Sequence, residues 1–216
     1  MKLFFHYCLY GFSNCYILGT DFSEDPSTEN DKSSELREAI IIDPGSMDDQ
    51  ILRFIEVNNY ALRGILITHD HPNHIHGIKT LKKVYNADIY AVNHIISDFK
   101  TKIVRDDDTF NIGPFKIQVI SVPGHSSDSA VYKIEQLLFT GDALTTGLVG
   151  TTPSSYGADI QVTALRSKIL SLQGNLVVLP GHGPPSSLEA ERKFNIGINL
   201  HEQTKNRRNQ IQTDFL

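Results

Sequence analysis

The chain has 216 residues, of which 40% are hydrophobic and 21% charged, a composition typical of one ordinary globular domain. Its net charge of −5 is carried by residues 21–38, and the rest of the chain is balanced. A balanced surface has no broad basic face for phosphate contacts, which argues against a nucleic-acid partner. No run of about 18 apolar residues occurs, which argues against a membrane span.

The elements of the first half are predicted from apolar runs and the turns between them. A polar stretch at about residues 20–37, rich in Ser, Asp and Glu, predicts a surface insertion. Strands are predicted at Leu3–Tyr10, Asn14–Leu18, Ala39–Ile42, Gly64–Thr68 and Ile89–Val92, and helices at Asp48–Tyr60 and Ile75–Tyr85.

In the second half, strands are predicted at Phe115–Val122, Ala130–Ile134, Leu137–Thr140 and Leu176–Leu179, a helix at Ile160–Leu172 and a helical tail from Ser187. Strands come in clusters interrupted by helices and do not alternate strictly with them. This order favours two mixed sheets packed face to face with helices outside, in one α/β domain spanning residues 1–216, over a single doubly wound sheet.

The two cysteines, Cys8 and Cys15, lie in apolar strand-like segments and are too few for a disulfide framework. We therefore expect buried thiols. The opening residues lack the apolar region and the small-residue cleavage site of a signal peptide. A cytoplasmic location is the expectation that follows.

Four histidines lie within eight residues, directly after the predicted strand that ends at Thr68: His69, His71, His74 and His76. A loop between a strand and a helix can bring several imidazoles together, and neutral imidazole is a common ligand of zinc and other divalent transition metals. The alternative is a solvated polar loop. That alternative suits a lone histidine better than a cluster of four.

Three further polar residues each follow an apolar strand and stand beside a glycine: His125, Asp142 and His182. Glycine lets the backbone bend sharply and approach a site closely. Each of these turns is ordinary when taken alone. Their recurrence after apolar strands indicates one site that contains all three.

The order Thr-His-x-His-x-x-His, Pro-Gly-His, Gly-Asp and Pro-Gly-His-Gly-Pro resembles the metallo-β-lactamase superfamily, and within it the short glyoxalase II-like hydrolases. Ile42-Asp43-Pro44-Gly45 matches the early Asp motif of that family, and Glu191-Arg192 with Asn195 matches its closing segment. The likeness spans about residues 1–200. It implies the αββα sandwich of the metallo-β-lactamase fold.

The resemblance also implies two metal positions. The first position would be held by His69, His71 and His125, the second by His74 and His182, and Asp142 would bridge the two. Asp142, His74 and Asp43 form the predicted catalytic group, in which Asp43 orients the site as a hydrogen-bonded support for the ligands. A carboxylate that only caps the Asp43-Pro44-Gly45 turn is the alternative for Asp43.

One position departs from the family, which has Asp immediately before the last histidine of the cluster, where this chain has Asn73. An amide is a weaker metal ligand than a carboxylate, so Asn73 is a doubtful ligand. We expect zinc as the cofactor, one or two ions per chain, with the second position weaker; iron or manganese would also suit the donors. Asp70 or His76 could instead replace the lost ligand.

The expected function is hydrolysis of a small ester-like substrate, most plausibly a thioester, by hydroxide generated at the metal. The substrate is then a small molecule, and the oligomeric state is left open. The chain after Pro185 is too short for the helical domain of glyoxalase II proper, which puts glutathione recognition in doubt. Two alternatives are an oxygenase resembling the persulfide dioxygenases, with one iron in the first position, and a non-catalytic metal-binding or structural relative.

Overall fold

A computed structural model describes residues 1–21 and 36–201. The predicted insertion at 20–37 and the end of the predicted helical tail therefore lie largely outside the described residues. In the described part the strands form two six-stranded sheets and two small hairpins.

The first sheet has the strand order β1-β2-β3-β4-β5-β8. Its first three strands pair antiparallel, and β3, β4, β5 and β8 run parallel. Its members are β1 Lys2–Tyr7, β2 Asn14–Gly19, β3 Arg37–Ile42, β4 Tyr60–Leu66, β5 Asp88–Ala91 and β8 Lys102–Ile103. The hairpin of β6 Ile95–Ile96 and β7 Phe99–Lys100 precedes β8.

The second sheet has the order β16-β15-β12-β11-β10-β9, in which β12 and β15 pair parallel and the other neighbours antiparallel. Its members are β9 Thr109–Ile112, β10 Phe115–Ser121, β11 Ala130–Ile134, β12 Leu137–Gly141, β15 Val177–Pro180 and β16 Ser186–Ser187. The hairpin of β13 Leu144–Thr145 and β14 Leu148–Val149 follows β12.

Within residues 1–21 and 36–201, the helices beside the sheets are α1 Asp49–Val57, α2 Pro72–Ile75, α3 Ile78–Val84, α4 Ser155–Ala164 and α5 Leu188–Phe194. A π-helical turn, Leu165–Ile169, continues α4, and residues 196–201 are helical as well. No helix in the described ranges is long and apolar enough to cross a membrane.

Alternation along the buried strands divides the core into three clusters of side chains, because successive strand residues point to opposite faces of a sheet. In β2, Ile17 packs toward α1 and α3, whereas Tyr16 and Leu18 pack between the sheets. In β12, Phe139 lies between the sheets and Leu138 packs toward the π-helical turn and α5. The layers are therefore helix, sheet, sheet and helix, which confirms the predicted αββα sandwich.

Three predicted helices have different bounds in the structure. The helix expected at Asp48–Tyr60 ends at Val57, because Asn59 takes a left-handed φ of 51° and turns the chain into β4. The helix expected at Ile75–Tyr85 is divided at Gly77, whose N–H donates to the carbonyl of Pro44 at 2.8 Å. A Cβ on Gly77 would lie 2.6 Å from the backbone of Ser46, so this close approach requires glycine.

The helix expected at Ile160–Leu172 begins earlier, at Ser155, because the Ser154 side chain caps it by accepting from the N–H of Gly157 at 3.1 Å. Both cysteines are buried and unbridged, as expected.

Candidate metal centre

The carboxyl ends of several strands meet at one edge of the sandwich, where the residues selected from the sequence lie. Asp43 follows β3 and the histidine cluster follows β4 in the first sheet. His125, Asp142 and His182 follow β10, β12 and β15, which all run in the same direction in the second sheet. Parallel strands place their carboxyl ends on one edge, so residues distant in sequence converge there.

Two groups of possible ligand atoms form at this edge. The first group is His69, His71 and His125, and the second is His69, His74 and Asp142; within each group the ligand atoms lie within 4.8 Å of one another. One carboxylate oxygen, Oδ2 of Asp142, links the groups: it lies 3.9 Å from Nε2 of His69, 3.6 Å from Nε2 of His74 and 3.7 Å from Nε2 of His125.

The protonation of His69 is fixed by Thr68, a residue that the sequence reasoning treated only as part of a motif. The Thr68 hydroxyl donates to Oδ2 of Asp43 at 2.6 Å, so it can only accept from Nδ1–H of His69, 3.0 Å away. The Nε2 lone pair of His69 then points into the site. Burial above all lowers the pKa of His69 to about 3, so this imidazole is neutral and able to bind a metal.

His125 is oriented in the same way by a backbone carbonyl. Its Nδ1 lies 2.7 Å from the carbonyl oxygen of Thr151, to which it donates, and this leaves a lone pair on Nε2. That Nε2 atom is 3.0 Å from Nδ1 of His71. Two nitrogens this close require a proton or a cation between them. The Thr151 contact was also missed from sequence, because a backbone acceptor has no sequence signature.

Asp43 is buried and supports the site rather than entering it. Its Oδ1 accepts from the backbone N–H of Thr68 at 2.8 Å, and its Oδ2 lies 3.2 Å from Nδ1 of His74. Asp43 itself has a left-handed φ of 49°, which turns the chain after β3 toward the histidine loop. The carboxylate therefore binds Thr68 and His74 across the loop, beyond its own turn.

Two buried nitrogens in the site, Nε2 of His69 and Nε2 of His74, have no partner atom within hydrogen-bond distance among the described residues. A buried polar atom left without a partner costs about 1–3 kcal/mol. Both face the carboxylate of Asp142, whose pKa is lowered despite burial by its contacts with His182 and His74. Burial lowers the pKa of His74, but its contacts with Asp142 and Asp43 outweigh burial and raise that pKa to about 9, so a metal bound here would replace the proton on its Nε2. Two imidazole nitrogens beside an ionised carboxylate are a donor set that fits a divalent metal.

His182 and Asn73 contact each other at the solvent side. Nδ1 of His182 lies 2.7 Å from Oδ1 of Asp142, and Nε2 lies 2.9 Å from the side-chain nitrogen of Asn73 and 3.2 Å from the carbonyl of Gly11. The pKa of His182 is raised, mainly by the hydrogen bond to Asp142. The structure thus brings the predicted metal ligands and Asp43 to one edge.

Asp70 and His76, the two candidate substitutes for the missing carboxylate, lie elsewhere. The Asp70 side chain accepts from Asn93 at 3.3 Å, and the Asp70 N–H donates to Asp128 at 2.9 Å. The ring of His76 stacks on Tyr10, with centroids 4.1 Å apart. Among the described residues, neither belongs to a group of converging ligand atoms.

Comparison with known proteins agrees with this arrangement. The sequence profile of the metallo-β-lactamase superfamily matches residues 35–182. A hydroxyacylglutathione hydrolase of Francisella tularensis is 38% identical over 150 residues, which cover 67% of this chain and 58% of that protein. The probable polyketide biosynthesis zinc-dependent hydrolase BaeB of Bacillus velezensis is 29% identical over 191 residues, or 81% of this chain and 84% of that protein.

Among solved structures, ETHE1 from Myxococcus xanthus superposes with a TM-score of 0.76 at 24% identity, covering 91% of this chain and 84% of that one. At this identity the likeness concerns the fold alone. The sequence profile, by contrast, spans well over half of the chain and includes every selected site residue. The chain belongs to the metallo-β-lactamase superfamily.

Proposed function

We propose that this protein is a metal-dependent hydrolase of small thioesters. The observation that carries the proposal is that imidazole nitrogens converge at the site while the other nitrogen of the same ring is hydrogen-bonded to the protein. Nδ1 of His69 donates to Thr68 and Nδ1 of His125 donates to Thr151, so each ring keeps a lone pair on the Nε2 atom that faces Asp142. Such preset tautomers are typical of metal ligands.

The proposed binding site of the metal is the first position, which is formed by His69, His71, His125 and Asp142. Imidazole nitrogens with one carboxylate oxygen are ligands that zinc prefers in catalytic sites, although iron and manganese accept the same donors. The zinc-dependent relative supports zinc. When bound, a divalent metal polarises an ester-type carbonyl and lowers the pKa of a water molecule to about 7.

The burial of the side chains defines the direction of substrate approach. His69 and His74 are buried, whereas His71, His125 and His182 are partly exposed. A substrate therefore reaches the site from the side of the exposed three. There, Nδ1–H of His182 donates to Oδ1 of Asp142 and so orients that carboxylate.

The thioester class is supported by the hydroxyacylglutathione hydrolase relative. The match covers 58% of that relative's length, so the proposal takes over the acyl thioester and leaves the thiol of the leaving group open.

The test begins with protein stripped by a chelator and reloaded with zinc. Reloaded protein should hydrolyse small S-acyl thioesters faster than matched oxygen esters, and stripped protein should be inactive. His71→Ala and His125→Ala should lose the metal and the activity while remaining folded. His94→Ala, the same change at an exposed histidine, should lose neither. Normal turnover and metal content in His71→Ala would show that the assignment is wrong.

A second candidate is an oxygenase with a single iron at the first position. The contact between His182 and Asn73 favours this oxygenase, because the contact occupies residues of the second metal position and leaves the first position complete. The same preparation loaded with ferrous iron distinguishes the two functions. Oxygen uptake with a persulfide substrate, without thioester hydrolysis, would favour the oxygenase.

A further inference from the structure

We propose that Asn73 closes the second metal position, so that this chain binds one metal tightly where its relatives' motif provides for two. The inference rests on the proposed function in one respect, namely that the first position binds a metal. Beyond that function, the inference concerns the number of metals that the site accepts and the residue that decides this number.

The ring of His182 is fully engaged by protein groups. The Asp142 carboxylate only accepts hydrogen bonds, so Nδ1 of His182 carries the proton that spans the 2.7 Å to Oδ1. In a neutral ring Nε2 accepts from the side-chain nitrogen of Asn73, 2.9 Å away, and in a protonated ring it donates to the carbonyl oxygen of Gly11, 3.2 Å away. In both states protein groups satisfy the nitrogen that a second metal would need, and in the neutral state the group is Asn73.

Asp in place of Asn73 would behave in the opposite way. A carboxylate cannot donate to Nε2, so it would leave that lone pair free and add a negative charge beside it. Those are the two things that a second divalent ion needs at this place. The amide supplies neither, and Asp142 alone would have to offset the charge of two ions.

The backbone of Asn73 is closely packed. A Cβ on Gly11 would lie 2.4 Å from Cβ of Asn73, and a Cβ on Gly45 would lie 2.0 Å from the main-chain carbonyl oxygen of Asn73. The same main-chain carbonyl accepts from the hydroxyl of Ser13 at 2.5 Å. The start of the Asn73 side chain is thus fixed at a place from which its nitrogen lies 2.9 Å from Nε2 of His182.

His182 is accordingly a positioning residue in this chain and not a metal ligand. It donates to Oδ1 of Asp142, and the other oxygen, Oδ2, faces His69, His74 and His125. Loss of His182 should weaken the hold on Asp142 without removing a ligand.

The experiment counts metals in stripped protein titrated with cobalt(II), by elemental analysis and by competition with a chelator. The unmodified chain should bind one ion tightly, with a spectrum free of magnetic coupling between ions. Asn73→Asp should gain a second ion, bound roughly ten- to hundredfold more tightly than any second ion in the unmodified chain, and should show coupling.

Three variants serve as controls. Asn111→Asp makes the same change at an exposed position of β9 and should remain at one ion. Asn73→Ala removes the donor without adding a ligand and should also remain at one. His182→Ala should keep one ion, whereas His125→Ala should lose it.

Two ions of similar affinity in the unmodified chain, or a single ion in folded Asn73→Asp, would overturn the inference. So would loss of the tight ion in His182→Ala. Absence of stoichiometric metal from every form is a separate result: it would refute the proposed function, and the inference with it.

Discussion

Gly181→Ala tests whether the ligand set is as tightly packed as the structure indicates. Gly181 stands between β15 and His182, and its φ is not left-handed, so alanine is conformationally allowed. The added Cβ would, however, lie 2.4 Å from Oδ1 of Asp142 and 2.6 Å from Cε1 of His74. Ordinary contacts begin near 3.4 Å, so these groups must move by about 1 Å.

Neither neighbour can move without losing a partner, because Asp142 is bound to His182 and His74 to Asp43. Overpacking of this kind costs about 1–3 kcal/mol of stability. A displacement of about 1 Å at a reacting group costs roughly a hundredfold in rate. We therefore expect Gly181→Ala to unfold at moderately lower urea and to lose most of its metal affinity and turnover.

The matched control is Gly174→Ala. Gly174 has a φ of +80° and nothing within 4 Å of an added Cβ. This variant should lose about 1–2 kcal/mol through backbone strain alone and keep its metal. The measurements are urea unfolding and chelator competition on both variants. Full metal affinity in Gly181→Ala would refute the packing argument.

Three further predictions concern the support of the site. Thr68→Ala should weaken metal binding roughly ten- to hundredfold, because His69 loses the acceptor that fixes its tautomer, and Thr68→Ser should restore it; chelator competition decides. Glu191→Ala should lower the free energy of unfolding by at least about 2 kcal/mol, since the buried carboxylate accepts from Gly147, Ser186 and Asn195, whereas exposed Glu189→Ala should change it by less than about 0.5 kcal/mol. When the free metal concentration is a thousandfold the dissociation constant, removing the metal should lower the free energy of unfolding by about 4 kcal/mol and the melting temperature by roughly 8–16 °C. An unchanged melting curve would contradict a bound metal.

The sequence predicted the strands that carry the site well, because their apolar runs are long and end in turns. Phe115–Val122 and Ala130–Ile134 were placed to within a residue of β10 and β11. The four two-residue strands of the small hairpins escaped prediction, since two residues show no periodicity. The boundary at Gly77 escaped as well, because its cause is a carbonyl contributed by a distant turn.

Part of the candidate site could likewise be predicted from the sequence, and part could not. Histidines beside glycines at strand ends are visible in the sequence, and the structure brings them together. The groups that set their tautomers are different: Thr68 acts through a hydroxyl shared with Asp43, and Thr151 through a carbonyl 26 residues from His125. Such partners depend on how loops meet in three dimensions. The contact between Asn73 and His182 depends on it too, across 109 residues.

The attachment of the first hairpin to the last site loop has a consequence for how the protein is made. The side chain of Asn14 donates to the carbonyls of Pro180 and Gly183, 2.9 and 2.7 Å away, across about three quarters of the chain. At about 5–20 residues per second, a ribosome adds Pro180 roughly 8–33 s after Asn14. Throughout that interval the β1–β2 hairpin has no partner for Asn14, and the site lacks the loop that carries His182. The four residues of the first position have been added once Asp142 is in the chain, so the contact by which His182 orients Asp142 is made after them.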